Sequence, residues 1–196
     1  MKYIIEKGLN MIVEPITSKT KIKRMYNALN LKHQKYGLLF KFALNTGLKV
    51  SDILPTKVTD IFNSPEEFKE YLILKNTHTN KENKIKLNTC LRESISYFMK
   101  EQALTSASYL FYSSKGGHLQ RIQAYKVLKE AATSCGIENF ATESLRKTWG
   151  YWAYEISENN LELIMHTFNH TSQSTTLSYI GITKNQKNEL YSPIQF

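Results

Sequence analysis

Three side chains suited to phosphate chemistry follow one another in the second half of the chain: Arg146, His170 and Tyr179. A guanidinium can hold two phosphate oxygens in its planar fork, a histidine can exchange a proton near neutral pH, and a tyrosine hydroxyl can act as a nucleophile. Each lies in or beside a segment with a helical pattern, so three consecutive helices would have to bring them together. They are therefore the first candidates for a functional site.

The elements that would position these residues are mostly helices. Apolar residues recur at helical spacing from Thr17 onward, and Gly47 is the residue type that ends a helix after its last turn. Asn88 or Thr89 is placed to cap a helix that ends near Gln102. The predicted helices begin near Thr17 and then span 31–46, 89–102, 120–135, 142–157, 160–168 and 173–181.

One region between the second and third predicted helices has the composition of strands. The segments Val58–Phe62, Glu70–Leu74 and Lys84–Leu87 are predicted to form a small antiparallel sheet, with a polar loop at 76–83. The predicted fold class is therefore mainly α with a small antiparallel β-sheet, an α+β domain. It is expected to occupy residues 15–182, between an N-terminal arm (1–14) and a C-terminal tail (183–196).

The charge balance points to a polyanionic partner. The chain of 196 residues carries 26 Lys and Arg against 17 Asp and Glu, a formal net charge of +9. Such an excess favours nucleic acid, because binding to phosphates releases counterions, although a basic protein without such a partner has the same composition.

The sequence also predicts that a membrane span, a signal peptide and a metal site are absent. No apolar run is long enough to cross a bilayer and the N-terminus lacks a signal-peptide pattern, so a cytoplasmic location is expected. Cys90 and Cys135 are interpreted as idle thiols of a reducing compartment. His166 and His170 lie at i, i+4, but no acidic residue between them completes a zinc motif, so no metal site is predicted.

Several longer motifs carry a family resemblance. They are Asn45-Thr-Gly-Leu-Lys-Val-Ser-Asp52, the hairpin end at 85–88, Phe111-Tyr-Ser-Ser114, Glu143-Ser-Leu-Arg146-Lys-Thr-Trp-Gly150 and the segment 163–181. In this order they resemble the catalytic domain of tyrosine recombinases, the phage-integrase family, from about residue 17 to residue 181. The resemblance implies that fold, without the family's separate N-terminal DNA-clamping domain.

The resemblance also implies a chemistry. In the family a tyrosine attacks the scissile phosphate and forms a 3′-phosphotyrosyl bond. Two arginines and a histidine stabilise the pentacoordinate phosphate, and a lysine of the hairpin protonates the leaving 5′ oxygen. This is covalent catalysis with electrostatic stabilisation, and it uses neither a metal nor a nucleotide cofactor.

Carried over by position, the family's site is only partly present. Arg146, His170 and Tyr179 match the second arginine, the histidine after it and the nucleophile. Three further positions depart from the pattern. Lys49 replaces the first arginine, His78 stands where the hairpin lysine is expected, with Lys75, Lys81 and Lys84 as alternatives, and Glu143 replaces a histidine.

Each departure has a physical consequence. Lys49 keeps the charge of an arginine but loses the bidentate fork. His78 is mostly neutral near pH 7 and reaches less far than a lysine. Glu143 would place a negative charge beside a phosphate, which costs a few kcal/mol at about 4 Å in an intermediate dielectric. We hypothesise that Lys49 and Glu143 form an ion pair that offsets both changes.

Duplex DNA is the partner that the resemblance implies. Candidate contacts are Arg121, Gln123 and Lys126 at the start of one predicted helix, together with Lys147, Lys81 and Lys84 as backbone contacts. By analogy with the family, the tail at 183–196 is a candidate for contacts between subunits.

Three functions fit these observations. The favoured one is a DNA-binding regulator or accessory factor of a phage or other mobile element, with impaired or absent strand cleavage. The alternative is an active site-specific recombinase that cleaves and rejoins DNA through Tyr179. The third is a protein-interaction module that no longer binds DNA, against which the positive charge argues.

Overall fold

In the computed structural model, residues 13–64, 67–75 and 82–182 are described, and helices dominate them. The helices are α1 (Lys19–Lys32), α2 (Gln34–Thr46), α3 (Val50–Ile53), α4 (Val58–Ile61), α5 (Thr89–Glu101), α6 (Arg121–Ser134), α7 (Thr142–Ile156), α8 (Leu161–Phe168) and α9 (Gln173–Tyr179). The predicted loop residues 76–81, most of the N-terminal arm and the C-terminal tail lie outside the described residues.

The first two helices are separated by one extended residue, His33. Its φ is −171°, and its Nδ1 accepts a hydrogen bond from the Lys35 amide at 3.1 Å. The prediction that one helix would start near Leu31 is therefore wrong, because α1 continues through Lys32 and α2 begins at Gln34. At its other end α2 stops as predicted at Gly47, whose φ of 66° is left-handed.

The strand region differs from the prediction in two respects. Residues 58–61 form the short helix α4, not a strand, and the Asp60 carboxylate accepts a hydrogen bond from the Lys57 amide at 2.7 Å. The strands form two separate antiparallel pairs instead of one sheet: β1 (Phe62–Ser64) with β2 (Glu67–Phe68), and β3 (Leu72–Lys75) with β4 (Glu82–Ile85). In the second pair Leu72 lies opposite Ile85.

Two apolar clusters organise the chain. The larger one surrounds α2, whose Leu39, Phe40 and Phe42 are almost completely buried, and Phe42 meets Phe111 edge-on at 5.8 Å between ring centroids. The smaller cluster joins the last three helices through Tyr154, Ile164, Phe168, Leu177 and Ile180. Because α7, α8 and α9 share this cluster, they hold the candidate site residues at fixed relative positions.

A short extended segment, residues 13–16, runs along α7 and is called the strap below. Inside it the Ile16 amide donates to Thr148 Oγ1 at 2.7 Å, and the Ile16 carbonyl accepts from Trp152 Nε1 at 3.2 Å. Pro15 packs against Gly181, where an added Cβ would lie 2.9 Å from Pro15 Cγ. The strap therefore ties the beginning of the domain to α7 and to the end of α9.

None of the helices in the described ranges is long and apolar enough to cross a membrane.

Candidate functional site

Helix α7 carries three charged side chains on one face. Glu143 lies in its first turn, and Arg146 and Lys147 follow at i+3 and i+4, a spacing that places all three side by side. The opposite face buries Ser144, Leu145 and Thr148. Since the buried face fixes how the helix rotates, the three half-buried charged residues face the neighbouring elements instead of the larger core.

The Arg146 side chain is held by backbone carbonyls from two other elements. Its Nη1 donates to the Gly47 carbonyl at 2.6 Å, and its Nη2 donates to the Thr167 carbonyl at 3.4 Å. The guanidinium carbon lies 4.5 Å from the centroid of the Phe168 ring, a cation–π contact. With its plane fixed in this way, the guanidinium still has donors left, because arginine carries five N–H groups.

His170 lies between α8 and α9, beside the guanidinium. Its Nδ1 is 3.0 Å from Thr176 Oγ1, and its ring centroid is 5.1 Å from that of Tyr179. Burial, and then the positive charge of Arg146, lower the pKa of His170 below its usual value. The imidazole is therefore neutral at pH 7 in the free protein.

Tyr179, the last residue of α9, donates its hydroxyl hydrogen bond to the Glu143 carboxylate. Burial raises the pKa of Tyr179, and the hydrogen bond to Glu143 and the carboxylate charge raise it further, whereas Arg146 acts in the opposite direction. The balance favours the neutral phenol strongly, so Tyr179 keeps its proton in this arrangement.

The hypothesised ion pair between Lys49 and Glu143 is wrong. Lys49 is exposed just before α3, and among the described residues no ion pair within 4 Å joins it to Glu143, whose carboxylate accepts from Tyr179. Lys49 nevertheless lies two residues after Gly47, whose carbonyl holds Arg146, so its backbone is close to the candidate site.

The candidate DNA contacts occupy different surroundings. Arg121, Gln123 and Lys126 are exposed at the start of α6, and Lys84 is exposed on β4. The Lys147 ammonium donates to the Val13 carbonyl at 2.8 Å and lies 5.1 Å from the Tyr179 ring centroid. His78 and Lys81 lie outside the described residues. The identity of the residue at the hairpin-lysine position therefore stays a prediction.

The structure brings together four of the predicted site residues, Glu143, Arg146, His170 and Tyr179. Lys49 is related to them only through its position two residues after Gly47. Sequence reasoning missed the groups that orient them: Thr176 beside His170, Phe168 beneath Arg146, and the carbonyls of Gly47 and Thr167. Thr176 is fully buried in a short polar helix, which could have marked it, whereas a backbone carbonyl leaves no signal in a sequence. Across the described ranges, no three His, Cys, Asp or Glu side chains converge on a point that could hold a metal ion.

Comparison with known proteins identifies relatives of the whole domain. The chain is 37% identical over 181 residues to the probable integrase/recombinase YoeC of Bacillus subtilis (strain 168), an alignment that covers 92% of this chain and 96% of that protein. The crystal structure of XerA recombinase superposes with a TM-score of 0.72 at 14% identity, covering 97% of this chain and 68% of that one. The crystal structure of XerH recombinase bound to a palindromic difH substrate superposes with a TM-score of 0.70 at 18% identity, covering 89% of this chain and 51% of that one.

At these identities the two superpositions establish the fold, which confirms the predicted α+β catalytic domain. The sequence model of the family described as "Phage integrase family" matches residues 16–186 of this chain. Together with the relative from Bacillus subtilis, that match confirms the resemblance, and the chain belongs to the phage integrase family.

Proposed function

We propose that this protein binds duplex DNA by placing a backbone phosphate against Arg146, His170 and Lys49, and that Glu143 holds back strand cleavage by Tyr179. It would act as a regulator or accessory factor of a phage or other mobile element. The single observation that carries the proposal is the hydrogen bond from the Tyr179 hydroxyl to the Glu143 carboxylate.

Phosphate binding is supported by charge and by orientation. Arg146 is held in one plane by two carbonyls and retains free donors, so an incoming phosphate meets a fork that is already positioned. His170 is close enough to Arg146 for the guanidinium charge to lower its pKa, and the exposed Lys49 supplies a second cation. The net charge of +9 favours approach to a polyanion, and the similar XerH is bound to a difH substrate in its crystal structure.

Impaired cleavage is supported by the state of the nucleophile. A phenol must lose its proton as its oxygen attacks phosphorus, and burial together with Glu143 opposes that loss. The carboxylate also repels the phosphate that the neighbouring cations attract, by a few kcal/mol at about 4 Å in an intermediate dielectric. Lys49 in place of a bidentate arginine weakens the stabilisation of the developing charge as well.

One observation favours a second candidate, an active recombinase. A carboxylate within hydrogen-bond reach of a hydroxyl is also the geometry of a general base. In that case the Tyr179 oxygen bonds to phosphorus while its proton moves to Glu143, and the 5′ oxygen leaves and takes a proton from water. The same contact then serves two opposite functions, which substitution of Glu143 separates.

The test uses a nicked suicide duplex that carries a site selected by this protein from random-sequence duplexes. Glu143→Gln keeps the shape and removes the negative charge. If Glu143 restrains Tyr179, the covalent adduct should increase about tenfold or more in this variant; if Glu143 is the general base, the adduct should fall by a similar factor. Tyr179→Phe is the control that must abolish any adduct.

Mobility shifts on the same duplex report binding separately from chemistry. The wild type and Glu143→Gln should both shift it, with an affinity that falls steeply as salt rises. A wild type that shifts no duplex at low salt would contradict the DNA-binding proposal. Equal adduct in the wild type and Glu143→Gln would show that Glu143 is not the restraint.

A further inference from the structure

We propose that Lys147 is a positioning residue for Tyr179: its ammonium, anchored by the strap, sits on the face of the tyrosine ring and fixes the ring beside Glu143. The inference rests on the proposed function for the role of Tyr179 as the nucleophile position. It assigns Lys147 to the site itself, whereas its place in the sequence suggests a contact with the DNA backbone.

The geometry places one cation between two elements. Lys147 Nζ donates to the Val13 carbonyl at 2.8 Å and lies 5.1 Å from the centroid of the Tyr179 ring. A lysine over an aromatic face within about 6 Å is attracted by the ring, and more strongly when both are partly shielded from water, as they are here. The carbonyl that anchors it belongs to the strap, which is itself fixed to α7 by the buried bond from Ile16 to Thr148.

The other groups that face Tyr179 do not replace this contact. The Glu143 carboxylate accepts from the hydroxyl, and Arg146, on the same helix, lowers the pKa of Tyr179 through its charge and a hydrogen bond. The rings of His170 and Phe168 are T-shaped to the tyrosine ring, each with its centroid 5.1 Å away. These aromatic neighbours carry no fixed charge. The hydroxyl is thus held by Glu143, and the ring is packed between two aromatic neighbours. Lys147 is the cation that rests against the ring face among the described residues.

This arrangement also links the strap to the nucleophile. The strap reaches Tyr179 through Lys147 and reaches the end of α9 through Pro15 and Gly181. A displacement of the strap would therefore move the cation and the C-terminal end of the tyrosine helix together.

Fluorine NMR on the full chain, with 3-fluorotyrosine replacing all 12 tyrosines, provides a test that needs no DNA. Fluorination lowers the pKa of the phenol toward an accessible range, and Tyr179→Phe identifies the resonance. Lys147→Met should shift that resonance and raise its titration midpoint by about half a pH unit, because a cation near the phenolate is lost. Lys147→Arg should restore most of both.

The matched control is Lys19→Met, which removes a cation that lies 4.9 Å from the centroid of the Trp152 ring and should leave the Tyr179 resonance unchanged. The other eleven fluorine resonances report whether Lys147→Met is folded. If it is not, Lys147→Gln keeps a donor for the Val13 carbonyl without the charge, and the same midpoint shift is expected.

A Tyr179 resonance and midpoint identical to those of the wild type in a folded Lys147→Met or Lys147→Gln would overturn the proposal. A loss of about one unit of salt dependence in DNA binding, with the fluorine signal unchanged, would assign Lys147 to the DNA backbone instead. Because the fluorine measurement is made on the free protein, its outcome is independent of whether DNA binding or cleavage is found.

Discussion

The hydrogen bond from Tyr179 to Glu143 joins the last residue of α9 to the first turn of α7. It connects Tyr179, which we propose as the nucleophile position, to Glu143, which the family resemblance places where a histidine is expected. The Glu143 carboxylate therefore has a specific hydrogen-bond partner within the candidate site.

Stability at alkaline pH should depend on Tyr179. Its folded-state pKa is raised above the usual 10.0, so its contribution is fully present below pH 10 and is lost as pH rises toward the folded-state pKa. Above pH 10 the stability of the wild type relative to Tyr179→Phe should decrease by up to about 1.4 kcal/mol per pH unit. Urea unfolding of both proteins from pH 8 to 11 measures it; parallel curves would contradict the prediction, and the remaining tyrosines cancel in the difference.

DNA affinity should rise on acidification through His170. The free imidazole has a lowered pKa, and a bound phosphate favours its charged form. Binding should therefore tighten as pH falls through the pKa of the bound imidazole and level off below the pKa of the free one. The gain cannot exceed about tenfold per pH unit for one proton. Fluorescence anisotropy at constant ionic strength tests this, with His170→Asn as the comparison. An equal pH dependence in that variant would assign the effect to other histidines.

Gly47 should tolerate no side chain. It has a left-handed φ of 66°, and an added Cβ would lie 2.5 Å from Trp149 Cδ2. The left-handed conformation costs about 1–2 kcal/mol for a residue other than glycine, and overpacking about 1–3 kcal/mol more. Gly47→Ala should therefore lower the free energy of unfolding by about 2–5 kcal/mol in a denaturant titration.

The control for Gly47 is Gly117, which has nearly the same φ of 67° but nothing within 4 Å of the added Cβ. Gly117→Ala should incur only the conformational cost of about 1–2 kcal/mol. Similar losses in both variants would show that contact with Trp149 does not limit the position.

The exposed cation Lys126 should act on DNA through charge. Lys126→Met should lower the slope of log affinity against log salt by about 0.9, the value for one phosphate contact. Lys32→Met changes the net charge equally but removes an ammonium that is paired with Glu130 at 2.6 Å. It should leave the slope nearly unchanged. Equal slopes in the two variants would indicate that only net charge matters.

Much of the helical framework could be predicted from the sequence, and the reason is local. The four C-terminal helices have apolar spacing together with terminal signals, such as Ser172, whose hydroxyl accepts from the Thr175 amide at 3.1 Å. The proximity of Arg146, His170 and Tyr179 was expected from the family resemblance, since the helical pattern alone does not bring three side chains to one point.

The predictions were wrong where contacts between residues far apart in sequence determine the local structure. Residues 58–61 are too few to show a helical period, and their helix is fixed by the Asp60 cap and by the bond from the Val58 amide to the Ser108 carbonyl at 3.0 Å. The Lys49–Glu143 pair was inferred from opposite charges at two positions that the family resemblance assigns to one site. It was wrong because Glu143 accepts a hydrogen bond from the Tyr179 hydroxyl instead. The two residues are far apart in sequence, so no local pattern predicts their contact.

The two carbonyls that hold Arg146 have a further consequence for how this site can change over time. A side-chain partner disappears with one substitution, but a carbonyl is present whatever residue stands at positions 47 and 167, as long as the backbone keeps its path. Substitutions that keep the backbone path at these two positions therefore leave the orientation of the guanidinium unchanged. Related chains can therefore differ at many surrounding side chains and still hold this arginine in the same orientation.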